Sequence, residues 1–190
     1  PGKKLGFMGG EFGQFIEWDY KRELDWFLLS YPRHGEMQRF VRELNHFYTA
    51  HPAMHARDAG WDGFSWLNVD DRDRSSIAFM RTDGEERIVC AFNFTPMCWE
   101  LRIGLPGKGR LRPVLTSDEY RFGGGGSQLR GHISSQEKPF LEFERSALIT
   151  LPPLTAIYYA FEETPNEHRA IRSASGKTQA DPAERSAGLG

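Results

Sequence analysis

Two hydrophobic periods divide the chain. From Glu36 to Tyr48 the apolar residues Met37, Phe40, Val41, Leu44, Phe47 and Tyr48 recur at the spacing of one helical face. Arg39, Arg42, Glu43 and His46 fall on the other face. Pro32 and Gly35 precede the run and Pro52 follows it, so a helix is predicted here. From Phe64 the period shortens to two. Segments 64–69, 76–80, 87–94, 100–103, 110–115, 147–151 and 155–161 are short and β-prone. Turn residues such as Thr82-Asp83-Gly84 and Pro106-Gly107-Lys108-Gly109 separate them. Closely spaced short strands of this kind predict an antiparallel sandwich or barrel. Pro152-Pro153 reads as the punctuation of a last hairpin, which favours an edge position there.

Ahead of the helix, Lys4 to Met8 reads as a strand that Gly9-Gly10 breaks. An aromatic, polar loop follows from Phe12 to Tyr31 and contains Asp25-Trp26-Phe27-Leu28-Leu29. Residues 1–56 therefore read as α/β and 57–161 as all-β. Residues 162–190 lose aromatics and gain Pro, Ser, Gly, Lys and Glu, the composition of a disordered tail. No internal repeat interrupts this division. The chain opens on Pro1 rather than Met, so it is expected to be the back end of something larger.

Composition narrows the function classes. A hydrophobic fraction of 39% with 14 Phe and 5 Trp is enough for a real core. A net charge of −2 gives no basic surplus for nucleic acid or an anionic membrane. No apolar run approaches the roughly 18 residues of a membrane span, and no signal peptide is read. Two cysteines, Cys90 and Cys98, suit a reducing, cytoplasmic setting better than a disulfide framework. Cys90 continues the alternation of Ile88, Phe92 and Phe94 and reads as a small core residue.

Candidate chemistry concentrates in the first stretch, Gly6 to Gln14, followed by Glu17-Trp18-Asp19. A carboxylate just past a barrel strand sits where α/β barrels place their chemistry, so Glu11 is a candidate acid, nucleophile or sugar ligand. The competing reading is a carboxylate that accepts backbone N–H groups to fix the loop. Glycosyl transfer through a covalent intermediate needs two carboxylates about 5–5.5 Å apart, and no neighbouring strand here supplies the second. Trp18 lies among acidic residues, as aromatics of sugar-binding grooves do, while Trp26 reads as a core anchor of the loop.

Other patterns are discounted. His51 and His55 share no helical face once Pro52 intervenes, and no His/Cys group has zinc spacing. Asp70-Asp71-Arg72-Asp73 lacks the glycine and glutamate of a calcium loop. Gly126 to Gly131 has the glycine spacing of a phosphate loop, but His132 stands in place of the lysine, so a flexible loop is expected. Asn93-Phe94-Thr95 matches a glycosylation acceptor inside a predicted strand.

Taken together, several segments resemble the C-terminal part of the bacterial 1,4-α-glucan (glycogen) branching enzymes of the α-amylase superfamily. They are Pro1-Gly-Lys-Lys4, Phe7 to Gln14, Glu17-Trp18, Leu24-Asp-Trp26, Gln38 to Asn45, Asn93-Phe-Thr-Pro96, Val114 to Tyr120 and Thr150 to Leu154. They occur in family order and cover residues 1 to about 161.

The resemblance implies the last strand and helix of a (β/α)8 barrel, followed by a C-terminal antiparallel β-sandwich. It implies transfer of an α-1,4-glucan segment to a 6-hydroxyl in glycogen biosynthesis, with no metal and no cofactor. It places the catalytic carboxylates on earlier strands, so none is expected in this chain, which alone is expected to be inactive. Glu11 and Trp18 are left as substrate-adjacent candidates. The partners it implies are α-1,4-glucan and the upstream catalytic barrel of the same protein. Gly6 departs from the pattern, standing where a bulky aliphatic would fill the strand. The loop Tyr120 to Gly126 and the tail also look individual. Three other readings stay open: an amylase-like or trehalose-forming hydrolase, a glucan-binding β-module with Trp61, Trp66 and Trp99 as an exposed stripe, and a purely structural module.

Overall fold

Eight strands, one long helix and four 3-10 turns make up the computed structural model, which describes residues 4–16, 18–127, 129 and 131–164. The helix, α1, spans Pro32–Ala50 and is longer at both ends than the periodicity predicts. Pro32 begins it because the first turn has no use for its missing N–H. A 3-10 turn over Pro52–Met54 follows.

The strands are β1 (Phe64–Asp71), β2 (Ser76–Asp83), β3 (Glu86–Asn93), β4 (Trp99–Leu105), β5 (Gly109–Thr116), β6 (Ile133–Ser134), β7 (Arg145–Leu151) and β8 (Thr155–Glu163). All pairings are antiparallel. Six strands form one sheet in the order β1-β2-β3-β8-β5-β6, and β4 with β7 forms a second. The sandwich core lies between them, with Leu67, Met80, Val89, Leu111, Ile157 and Tyr159 meeting Leu101, Ile103 and Ile149. Alternate residues of each strand thus face this core, as the side-chain period of two requires.

The six-stranded sheet is apolar on both faces. Its outer face carries Ile88, Cys90, Leu115 and Tyr158, and Phe40, Leu44, Phe47 and Tyr48 of α1 pack on it. The Phe47 ring lies 5.3 Å from that of Tyr158. Met37, predicted on the buried face, is exposed, with its sulfur beside Gly13 of the loop ahead of α1 rather than on the sheet.

Four expectations are corrected. Lys4 to Phe7 forms no strand, since a strand needs a ladder partner and none is present among the described residues. The two prolines do not turn a hairpin. They carry the chain from β7 in one sheet to β8 in the other, and β8 is central, between β3 and β5. The proline that does lie in a ladder is Pro113, where a register shift opens between β5 and β8. Glu162 and Glu163, assigned to a tail, end β8, with Glu162 bridging Arg110 and Arg112. The rest of the predicted tail, 165–190, lies outside the described residues.

Candidate functional site

The loop ahead of α1 is built around one buried ring. Phe12 is fully buried in a 3-10 turn, Gly10–Phe12, with its ring 5.3 Å from Trp26. Burial of such a side chain contributes about 2–3 kcal/mol. Gly9 and Gly13 flank the turn with φ of 80° and 72°, a left-handed conformation that glycine adopts without strain. The turn is tied to α1, because His34 Nδ1 lies 2.7 Å from the Phe12 carbonyl.

Gln14 and Asp25 brace the loop. Gln14 Nε2 donates to Asp25 Oδ2 at 3.1 Å, and the Asp25 amide donates to Gln14 Oε1 at 2.9 Å. Arg22 adds ion pairs to Asp19 and Asp25. Glu11, one residue before the buried ring, faces solvent and accepts no hydrogen bond from a described residue. The loop-fixing role weighed for Glu11 is filled by Gln14 and Asp25 instead. Trp18 is 74% exposed, with its ring 4.5 Å from Phe7. The turn therefore lifts a free carboxylate and an open indole out of the same braced loop. A carboxylate can accept from sugar hydroxyls and an open indole can stack on a sugar ring, whereas Asp19 and Asp25 of the same loop are already paired with Arg22.

The remaining sequence candidates have structural partners. His51 Nδ1 meets Glu86 Oε1 at 2.6 Å, and Glu86 also accepts the Ala53 amide at 2.8 Å. His55 packs against the Tyr48 ring. Asp70 and Asp71 pair with Arg72 and Arg74 in the β1–β2 turn. Among the described residues, no three His, Cys, Asp or Glu side chains converge as a metal site. Cys90 is buried and Cys98 exposed, and neither is bonded to the other.

The glycine-rich loop is closed by Asp118 rather than open. Its carboxylate accepts the Gly125 amide at 2.7 Å and the Ser127 amide at 2.9 Å. Arg33 Nη1 donates to the Gly123 carbonyl at 2.8 Å, and Phe122 meets Phe40 edge-on. This loop therefore clamps α1 to the sandwich. A shallow cavity of about 570 Å³ lies beside it, lined by Pro113 to Thr116, Tyr120 and Ser127. None of its lining residues comes from the Glu11 loop.

Of the three tryptophans weighed as a stripe, Trp66 lies on the outer face of β1 and Trp61 just ahead of that strand, each in contact with Phe64. Trp99 lies in the other sheet and donates to Thr95. Sequence reasoning assigned Phe64, Phe79, Phe92 and Phe94 only to strands. The structure aligns them beside Trp61 and Trp66. The available signal was an aromatic at one or more outward positions of each of three consecutive strands, Phe64 and Trp66 of β1, Phe79 of β2 and Phe92 of β3.

A buried ion network lies at the end of that row. Arg81 Nη2 and Lys4 Nζ both meet Asp58 Oδ1 at 2.6 Å, with Arg81 nearly fully buried.

Comparison with known proteins adds the following. Residues 66–162 match the family described as the alpha amylase C-terminal all-beta domain. A protein of Halothermothrix orenii named 1,4-alpha-glucan branching enzyme GlgB is 44% identical over 162 residues, 84% of this chain and 26% of its own length. Its namesake in Aquifex aeolicus is 42% identical over 165 residues, 85% of this chain and 26% of its own. Another in Rhizobium meliloti is 45% identical over 159 residues, 83% of this chain and 21% of its own. The chain spans about a quarter of the length of these curated relatives.

Proposed function

The chain belongs to the α-amylase C-terminal all-β domain family, and from that premise we propose that it works as the C-terminal portion of a 1,4-α-glucan branching enzyme. The observation that carries this is the extent of the similarity. The 162 residues aligned at 44% identity far exceed the 97 residues from 66 to 162, so the likeness reaches beyond the sandwich.

In this reading residues 1–56 complete a catalytic barrel, with Lys4 to Met8 becoming a strand once the neighbouring strands supply a ladder. The apolar side chains left exposed at Leu5, Phe7, Phe15, Ile16 and Tyr20 support that assignment. The sandwich holds α1, and through α1 the loop that presents Glu11 and Trp18 to the substrate groove.

The reaction is transfer of an α-1,4-glucan segment to a sugar 6-hydroxyl. A covalent glucosyl–enzyme ester forms first, and the acceptor hydroxyl then takes the place of water. The nucleophile and general acid come from the preceding barrel, and the 190-residue chain alone is inactive. Glu11 bonds substrate hydroxyls, and Trp18 stacks on a glucose ring. The partner is α-1,4-glucan and the setting cytoplasmic. No described helix is long and apolar enough to cross a membrane.

The test is a branching assay on amylose, with this chain and with the protein read from its start codon. New α-1,6 branches from the longer protein alone support the proposal. Branches from the 190-residue chain overturn the assignment of catalysis elsewhere. Hydrolysis without branches from the longer protein moves the chain to an amylase-like hydrolase.

A further inference from the structure

One buried carbonyl in the Glu11 loop depends on a single side chain. Phe12 is wholly buried, its backbone included. The 3-10 turn makes no use of the Phe12 oxygen. The amides of Gly10, Phe12, Gly13 and Gln14 bond instead to the carbonyls of Phe7, Gly9, Gly10 and Gly9. Among the described residues, the one donor to Phe12 is His34 Nδ1 at 2.7 Å, from the first turn of α1. A carbonyl can only accept, so the contact assigns the ring proton to Nδ1. Neutral histidine in water favours the other tautomer, with the proton on Nε2. The turn therefore selects the less common form.

We propose that His34 is a positioning residue for the glucan-facing loop, whose Nδ1–H holds the Phe12 carbonyl and so sets where Glu11 stands. The inference deepens the proposed function and rests on its reading of Glu11 as a substrate ligand. Three observations favour it. The bond is the one polar tie between the Gly9 to Gln14 turn and α1 among the described residues, whereas the brace between Gln14 and Asp25 stays inside the loop. The imidazole is itself held in place, with the Phe15 ring edge-on at 5.1 Å and the Tyr31 ring at 6.3 Å. The backbone also makes room for it. A side chain at Gly13 would press on the Met37 sulfur at 3.3 Å and touch His34 Nδ1 at 3.6 Å, so glycine lets the helix close on the turn.

The link matters because α1 is seated on the six-stranded sheet through Phe40, Phe47 and Tyr48. His34 passes that fixed position on to a turn that is otherwise braced only within its own loop. Without the imidazole, the Phe12 peptide either keeps an unsatisfied acceptor or rotates to find water. Rotation moves Glu11, which precedes Phe12 in the same turn. Small displacements of a positioned group are enough to lower a rate.

The experiment compares H34A, H34N and H34Q. The Asn amide nitrogen comes close to the place of Nδ1, and the Gln amide nitrogen to that of Nε2, so the two variants separate geometry from polarity. In the 190-residue chain, long-range proton–nitrogen NMR in alkaline buffer should show His34 protonated on Nδ1, with H34N used to assign the signal. The Gln14 amide should exchange with deuterium several-fold faster in H34A and H34Q than in wild type and H34N. In the protein read from its start codon, H34A and H34Q should lower kcat/KM for branching of amylose about tenfold, and H34N should restore it. The double variant E11Q/H34A should lose no more than E11Q alone, because both changes remove one contact.

A ring protonated on Nε2 overturns the proposal. So do equal defects in H34N and H34Q, or losses that add in the double variant, since a merely structural histidine would give both. Wild-type kinetics for E11Q overturn the route through Glu11. Neither the NMR nor the exchange readout uses catalysis. A longer protein that forms no branches, with both readouts as expected, would therefore count against the proposed function and leave the grip of His34 on the turn standing.

Discussion

The Asn93 side-chain amide donates to the Pro152 carbonyl at 2.8 Å, tying the end of β3 to the link that crosses between sheets. The same amide reaches the Met97 carbonyl at 2.7 Å, and Asn93 Oδ1 accepts both the amide and the hydroxyl of Thr95. Asn93 is thus a staple, buried and fully bonded, rather than a glycosylation acceptor. Replacing it by Ala leaves buried carbonyls without a donor, and urea unfolding of N93A should show a loss of about 2–3 kcal/mol. N93D should be at least as harmful, since it sets a carboxylate against carbonyl oxygens. A midpoint unchanged in both variants would refute the staple.

Asp118 gives the fold an acid-sensitive closure. Burial opposes its ionisation, but hydrogen bonds from Ser127 and from the Gly125 amide outweigh it and hold the pKa below the usual carboxylate value. A depressed folded pKa means stability present above the unfolded value, about pH 4, and lost as pH falls through the lower folded value. D118N removes that dependence. Its unfolding midpoint should be lower than wild type at pH 7, with the gap closing below about pH 4. A gap constant from pH 7 to 3 would show that Asp118 acts through shape alone.

The two thiols should be chemically distinct. Burial pushes the Cys90 thiol up to about 12, while Cys98 is exposed on the β3–β4 connection. At pH 8 a disulfide reagent should titrate one thiol in the native chain and two in denaturant. Two fast thiols in the native chain would mean that the outer face of the sheet opens readily.

The sandwich was legible because its strands are short, β-prone and set apart by turn residues, and because β3 and β8, buried on both faces, write apolar runs into Arg87 to Phe94 and Thr155 to Phe161. Strand order was not. Nothing local to Pro152-Pro153 tells whether the next strand turns back or crosses to the other sheet, so the central position of β8 had to come from packing. The α1 periodicity was legible, but its seat on the sandwich was not, because an apolar stripe does not name its partner. The Glu11 loop was visible in Gly9-Gly10 and Glu11. The brace between Gln14 and Asp25, eleven residues apart, leaves no local signature. Lys4 to Met8 failed as a strand for the converse reason: the apolar run is local, but a strand exists only with a neighbour.

Glu11 and Trp18 can be separated by kinetics in the longer protein. Glu11 carries no described structural bond, so E11Q should leave the melting temperature unchanged and lower branching of amylose about tenfold through a lost sugar contact, which corresponds to about 1.4 kcal/mol. W18A should act mainly on KM, as expected for a group that stacks on substrate in the ground state. Wild-type kinetics for both variants would remove the loop from the substrate groove.

The packing of α1 on the sheet also sets where the chain first opens. Phe40, Phe47 and Tyr48 pin the helix, and Arg33 and Arg39 donate to carbonyls of the loop after β5. Lys21 and Arg22 sit instead in the exposed loop before it, among Phe15, Ile16 and Tyr20. Cleavage requires local opening, which costs least where few buried contacts are lost. Brief trypsin treatment of the 190-residue chain should therefore cut after Lys21 or Arg22 before Arg33, Arg39 or Arg42. The surviving fragment, identified by N-terminal sequencing, should keep α1 with the sandwich. A first cut inside α1 would show that the helix belongs energetically with the segment ahead of it, and that its seat on Ile88, Cys90 and Tyr158 is weak.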